Sequence, residues 1–235
     1  MIDLDLFDAT PLVRDPFEFV IVPNFIAPGS RGAIERDFPQ IARPGNVRLA
    51  DTQPGPAFRD LVAELQGPEL ARRIAAKFAV DLDHASTNIT LRGRAQRTDG
   101  NIHTDSWTKL VTVLLYFNAD WACNEGRLRL LRSPTDIEDY AAEVVPLSGT
   151  LLAFRRSDRS YHGHKPIEGE RRVLQMSWIR PSRAARFALQ LKRLTTRAMK
   201  RLHVDRESNV VGSRTAQLPS RPPRPGPARS EPDPR

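Results

Sequence analysis

The chain has 235 residues, 40% of them apolar, and a formal net charge of +8, which permits one domain of ordinary size with a packed core plus an extension. Residues 180–235 hold 14 Lys or Arg against four acids, a net of +10, so the rest of the chain carries −2 and the basic excess belongs to the C-terminal extension. The single cysteine, Cys123, excludes an intrachain disulfide and a Cys-rich zinc site. Its solitary state, the acidic start Met1-Ile2-Asp3-Leu4-Asp5-Leu6 and an apolar run, Leu110 to Phe117, far too short to span a bilayer lead us to expect a soluble cytoplasmic protein.

In chain order, Phe17 to Val22 is rich in β-formers between Pro16 and Pro23 and reads as a strand. Gly29 to Phe38 has helical spacing, with Ile34 and Phe38 on one side and Pro39 or Pro44 to stop it. From Ala57 to Val80 the apolar positions Phe58, Leu61, Val62, Leu65, Leu70, Ile74 and Phe78 recur every three or four residues, and Gly67-Pro68 divides the run into two helices that should brace a sheet. After Asp83 the period changes to that of strands: Thr87–Leu91, Leu110–Phe117, Arg127–Leu131, Leu151–Phe154 and Val173–Ile179. Thr135-Asp136-Ile137-Glu138 has capping-box spacing and predicts a short helix around Ile137 to Ala142. Short strands after a helical lead-in argue for a mainly β barrel or double sheet with supporting helices. Residues 182–204 read as a basic amphipathic helix, and seven of the last 17 residues are proline, which predicts a disordered Pro/Arg-rich tail over 205–235.

The chemistry is concentrated between Asn101 and Trp178. His103 and Asp105 lie two apart on an extended segment and so project from one face, where both can grip one ion. A second histidine downstream, His162 or His164, can complete the 2-His-1-carboxylate set that suits non-haem Fe(II) and leaves coordination positions open. His84 and His203 have no partners in the pattern, and Cys123 reads as inert.

This pattern resembles the Fe(II)/2-oxoglutarate-dependent oxygenases, particularly their prolyl 4-hydroxylase-like branch: H-x-D, a gap of tens of residues, then a His with Pro four and Arg ten positions later. The positions are His103, Asp105, His162, Pro166 and Arg172, and that spacing selects His162 over His164. Val111 to Asn118, Glu125 to Leu130 and Pro146 to Phe154 resemble the strands between these positions, whereas a tyrosine found in the family before H-x-D is replaced by Gly93. The resemblance implies a double-stranded β-helix (jelly roll) over residues 1–181. It also implies Fe(II) on His103, Asp105 and His162, and 2-oxoglutarate as cosubstrate with its far carboxylate on Arg172 and, in some relatives, a tyrosine at the place of Tyr116. O2 is the co-reactant, and ascorbate is admitted.

The implied reaction is hydroxylation of a C–H bond with release of succinate and CO2, on a protein side chain such as proline or on a sugar or envelope glycan. Nucleic-acid repair is not expected, because Trp178 stands where an Arg-x5-Arg signature would place its second arginine. Two other readings have their own marks. A cupin-like metal protein without oxygenase activity would bind metal but leave Arg172 idle, and a catalytically silent module would dock through residues 182–235 on an anionic surface.

Overall fold

The computed structural model describes residues 1–181; the helix expected over 182–204 and the tail over 205–235 lie outside the described residues. The N-terminal part supplies helices and two strands. Helix α1 (Leu4–Ala9) starts at Asp3, whose side chain accepts from the Leu6 N–H at 2.8 Å, a capped helix that sequence spacing had not revealed. Strand β1 (Phe19–Val22), helix α2 (Pro28–Arg36), strand β2 (Val47–Arg48) and helices α3 (Pro56–Leu65) and α4 (Pro68–Phe78) follow. Proline opens α2, α3 and α4, where its missing N–H would be unpaired anyway and its φ is already helical.

The remainder is β3 (Ser86–Ala95), β4 (Lys109–Tyr116), β5 (Leu128–Leu131), β6 (Tyr140–Val144), β7 (Leu151–Arg155), β8 (His162–Gly163) and β9 (Gly169–Ile179). They form a six-stranded sheet in the order β1-β7-β4-β9-β3-β2 and a three-stranded sheet in the order β6-β5-β8, with antiparallel pairing throughout. This is the expected mainly β, jelly-roll arrangement of two antiparallel sheets with supporting helices.

Strands β1, β4, β7 and β9 of the large sheet divide their side chains between two cores. Val111, Val113, Leu115, Leu174, Met176 and Trp178 pack with α3 and α4 through Phe58, Leu61, Leu65, Leu70, Ile74 and Phe78. The alternate residues Tyr116, Leu152, Phe154 and Val173 meet Leu128, Leu130 and Val144 of the small sheet. Central strands buried on both faces are therefore apolar almost continuously, which is why β4 reads Lys-Leu-Val-Thr-Val-Leu-Leu-Tyr. The helix-side core is keyed by an aromatic trio, with Phe58 5.3 Å from both Phe38 and Phe117, centroid to centroid. Phe58→Ala should cost about 3–5 kcal/mol through lost burial and a residual cavity; an unchanged urea midpoint would show that the helices are not clamped to the sheet there.

One expected element is corrected. Residues 137–142 are not helical: the Ser133 hydroxyl accepts from the Thr135 and Asp136 N–H groups, and Asp136 accepts from Glu138 N–H. These turns absorb the polar residues that looked like a helix cap. The chain then pairs as β6 against β5, Leu128 opposite Val144 and Leu130 opposite Ala142, because Ala142 and Val144 complete the apolar floor of the small sheet.

Candidate metal centre

The centre is built where the 101–105 segment meets β8. His103 and His162 exchange backbone hydrogen bonds, His103 N–H to His162 O at 3.1 Å and His162 N–H to His103 O at 3.0 Å, so the two residues sit directly opposite and their rings lie 4.4 Å apart. Asp105, two residues on, points the same way. Ligand atoms of His103, Asp105 and His162 all lie within 4.8 Å of one another.

Each imidazole is oriented by its own backbone. His103 Nδ1 lies 2.8 Å from Asn101 O, and His162 Nδ1 lies 3.0 Å from Ser160 O. A carbonyl oxygen only accepts, so both rings carry the proton on Nδ1 and offer an Nε2 lone pair, the arrangement that fixes tautomer and direction in metal-binding histidines. Burial, with the charge of neighbouring His103, pushes the His162 pKa down to about 4, which keeps the ring neutral and able to ligate near pH 7. Phe154 forms an apolar wall 4.8 Å from the His162 ring, while His103 is exposed and marks the open side.

Asp105 is 7% exposed. Burial alone would favour its protonated form, but the charges of Lys109 and His162 and hydrogen bonds from Lys109 and Thr112 outweigh it and hold the carboxyl below its ordinary range. Lys109 Nζ donates to Oδ1 at 2.6 Å and Thr112 Oγ1 to Oδ2 at 2.6 Å, with Ser177 Oγ 3.1 Å behind the threonine. Arg156 Nε donates to the Asp105 carbonyl at 3.1 Å. None of Lys109, Thr112, Arg156 or Ser177 was singled out from the sequence; the i, i+4 spacing of Asp105 and Lys109 was the one available signal.

The two adjacent arginines of β9 part company. Arg172 lies on the helix side, its guanidinium 5.8 Å from the Phe38 ring centre and ion-paired to Glu170 at 2.7 Å. It therefore does not face the space between the sheets. Arg171 does face it: 5% exposed, it donates to Gly126 O at 3.0 Å and stacks 5.5 Å from the Tyr116 ring centre. Tyr116 is fully buried and its hydroxyl finds no hydrogen-bond partner among the described residues. Burial raises its pKa, with Arg171 acting in the opposite direction, so it is a phenol that can donate. An unsatisfied buried hydroxyl costs about 1–3 kcal/mol, and a buried guanidinium beside it makes a carboxylate the ligand that would satisfy both.

His164 is not in the metal cluster. It is 6% exposed, and its Nδ1 donates to Lys165 O at 2.8 Å. Gly100 lies over it at φ +93°, and a Cβ there would come within 2.5 Å of the His164 Nδ1, so only glycine permits the loop to close on this ring.

Residues 90–180 match the family model described as the 2OG-Fe(II) oxygenase superfamily, a span that contains the metal cluster, Tyr116 and Arg171. This segment is similar to that superfamily's oxygenase domain, whose members use Fe(II), 2-oxoglutarate and O2. The fold is similar to a prolyl-4-hydroxylase from Pseudomonas putida, with 16% identity, TM-score 0.50, and coverage of 76% of this chain and 97% of the other. It is also similar to the viral collagen prolyl hydroxylase of Paramecium Bursaria Chlorella virus-1 in its 2-oxoglutarate complex, with 14% identity, TM-score 0.50, and coverage of 73% and 99%. At these identities the likeness is one of fold. Comparison with curated protein sequences gives no match. Among the described residues no helix is long and apolar enough to cross a membrane.

Proposed function

We propose that the enzyme converts a substrate C–H, O2 and 2-oxoglutarate into the hydroxylated product, succinate and CO2, with iron on His103, Asp105 and His162 and the far carboxylate of 2-oxoglutarate on Arg171 and Tyr116. The observation that carries this reading is that two sites border the space between the sheets: a preoriented 2-His-1-carboxylate cluster, and a buried guanidinium beside a phenol hydroxyl that has no hydrogen-bond partner among the described residues. Bound iron supplies the redox chemistry that joins oxidative decarboxylation to C–H oxidation.

The chain's own residues position and insulate. The two histidines and Asp105 would hold the metal with three side-chain ligands and leave coordination positions open for cosubstrate and O2. Arg171 offers a planar pair of donors to a carboxylate, and Tyr116 adds a third. Thr112 and Lys109 keep the Asp105 oxygens from rotating, and Phe154 with the Leu128–Leu130 floor excludes water from the inner side. The acceptor is a protein side chain or a sugar unit of a glycan. Arg171 is followed six positions later by Ser177, which supports the expectation of no nucleic-acid repair role. The exposed single thiol of Cys123 suits the cytoplasm.

A cupin-like metal protein without oxygenase activity would give Arg171 and Tyr116 no task. A module docking through residues 182–204 would rest on residues outside those described. Succinate formation from 2-oxoglutarate tests the reading. Asp105→Ala should reduce it to background, a loss of at least about 10³-fold, and normal turnover in that variant would remove Asp105 from the centre.

A further inference from the structure

His103 is reached through residues 96–102, which belong to neither helix nor strand, so whatever fixes that segment decides where the first histidine stands. On one side the segment lies against β8. Gly100 O accepts from His164 N–H at 2.9 Å, and His103 exchanges its backbone hydrogen bonds with His162. The approach is close, since a Cβ on Gly163 would come 2.8 Å from Gly100 O and 3.3 Å from Ile102 Cα. Between these contacts Asn101 O meets His103 Nδ1 at 2.8 Å.

On the other side the tether is Asp99. Its Oδ2 accepts from Arg92 Nη1 at 2.7 Å, the Arg92 and Asp99 side chains being 17% and 14% exposed. The same oxygen accepts from Gln96 N–H at 3.0 Å, and Asp99 N–H donates to Gln96 O at 2.8 Å, so one carboxylate closes its own turn and reaches the sheet. Arg92 is fixed in turn, because its Nε donates to Asn46 Oδ1 at 3.0 Å. The segment's other ion pair, Arg97 with Glu168, is exposed on both sides and contributes little. Arg92 stands opposite Val173 of the small-sheet core, on the same face of the large sheet as Arg171. Burial lowers the Arg92 pKa, Asp99 works against this, and the charge of Arg171 works with it. Asp99 is therefore the counterion that lets two guanidiniums share this face.

We propose that Arg92 and Asp99 are a positioning pair for the metal centre: their ion pair sets the backbone of residues 99–101, and through Asn101 O it holds the His103 imidazole with its Nδ1–H engaged, opposite His162. This rests on the metal centre proposed above and names the residues that keep it in register. Both act through the backbone and neither touches the metal.

The test uses the full chain with Co(II) alone, an ion that accepts the same imidazole and carboxylate ligands and makes the Nδ1–H of each bound imidazole visible as a shifted, exchangeable proton signal. In the wild type the proton of buried His162, on Ser160 O, should exchange more slowly than that of exposed His103. Asp99→Ala should speed exchange of the His103 proton and weaken Co(II) binding, each by about tenfold, and leave the His162 proton unaltered. Arg92→Ala should do the same. The double variant should match either single one within about twofold, because one interaction is removed once. Asp99→Asn keeps an oxygen for Gln96 N–H and should keep the wild-type urea midpoint while moving both readouts in the same direction. Arg127→Ala breaks a partly buried pair with Glu143 on the small sheet and should change neither readout.

The proposal is overturned if the Asp99 and Arg92 variants keep the wild-type Co(II) affinity and His103 exchange, if both imidazole protons respond together, if the two single losses add, or if Arg127→Ala shows the same losses. A wild type that binds no Co(II) would instead sink the metal centre on which the proposal stands.

Discussion

Arg171→Ala should weaken 2-oxoglutarate binding by about 100-fold or more, while Arg172→Ala should change it by less than about threefold. Removing one member of a buried, hydrogen-bonded charge pair costs about 2–5 kcal/mol, and 1.4 kcal/mol is a factor of ten. Arg171 is 5% exposed and faces the inter-sheet space with Tyr116. Arg172 sits across the strand against Phe38 and Glu170, where truncation removes a half-exposed ion pair of small value. Calorimetric titration of the Mn(II)-loaded protein with 2-oxoglutarate reads both variants. The reverse ranking would return the cosubstrate to Arg172 and invert the face assignment of β9. Tyr116→Phe should lower affinity about 5- to 10-fold, yet make the metal-free protein more stable, because the deleted hydroxyl is buried with no hydrogen-bond partner among the described residues.

Acid should destabilise the metal-free protein well before its carboxylates protonate. His162, through burial and its neighbour His103, and His164, through burial and Arg171, both have pKa values lowered from 6.5 to about 4. Between those values the unfolded chain binds protons that the folded chain does not, so stability falls as pH falls. At 1.36 kcal/mol per unit, each imidazole accounts for about 3 kcal/mol across this window. Asp105 works at lower pH: its carboxyl is depressed in the folded state, so its contribution is present above the unfolded value and disappears as pH drops through the folded one. Urea midpoints from pH 7.5 down to 4.5 should therefore decline steeply, and His164→Gln should remove about half of the decline. A flat profile over that range would show that these rings are not held neutral by burial.

The metal cluster was legible because its cues are local or ordered along the chain. His103 and Asp105 share a face by strand periodicity, and Pro166 marks the downstream histidine. Which of the two arginines faces the inter-sheet space was not legible from spacing alone. Arg171 and Arg172 are adjacent, and a one-residue shift moves a side chain to the other face. The neighbours that would settle the face, Val173 and Leu174, are both apolar because β9 is buried on both sides. Counting back in twos from Trp178 and Met176, which belong to the helix-side core, would have placed Arg172 with them.

The Ile137 to Ala142 segment failed for a different reason. Ser133 and Asp136 spend their side-chain oxygens on turns, and only pairing with β5, remote in sequence, decides that the next residues extend. Lys109 escaped notice because a single lysine before an apolar run is ordinary; its meaning comes from the 2.6 Å contact with Asp105.

Anaerobic titration with Fe(II) and then 2-oxoglutarate, followed by visible absorption on the wild type and on Asp105→Ala, addresses the centre itself. The wild type should develop a charge-transfer band that requires both additions and saturates at one equivalent of iron, and Asp105→Ala should develop none. A wild type that binds iron but shows no band with 2-oxoglutarate, or an Asp105→Ala variant whose band matches the wild type, would contradict the assignment of this cluster as an Fe(II)/2-oxoglutarate centre.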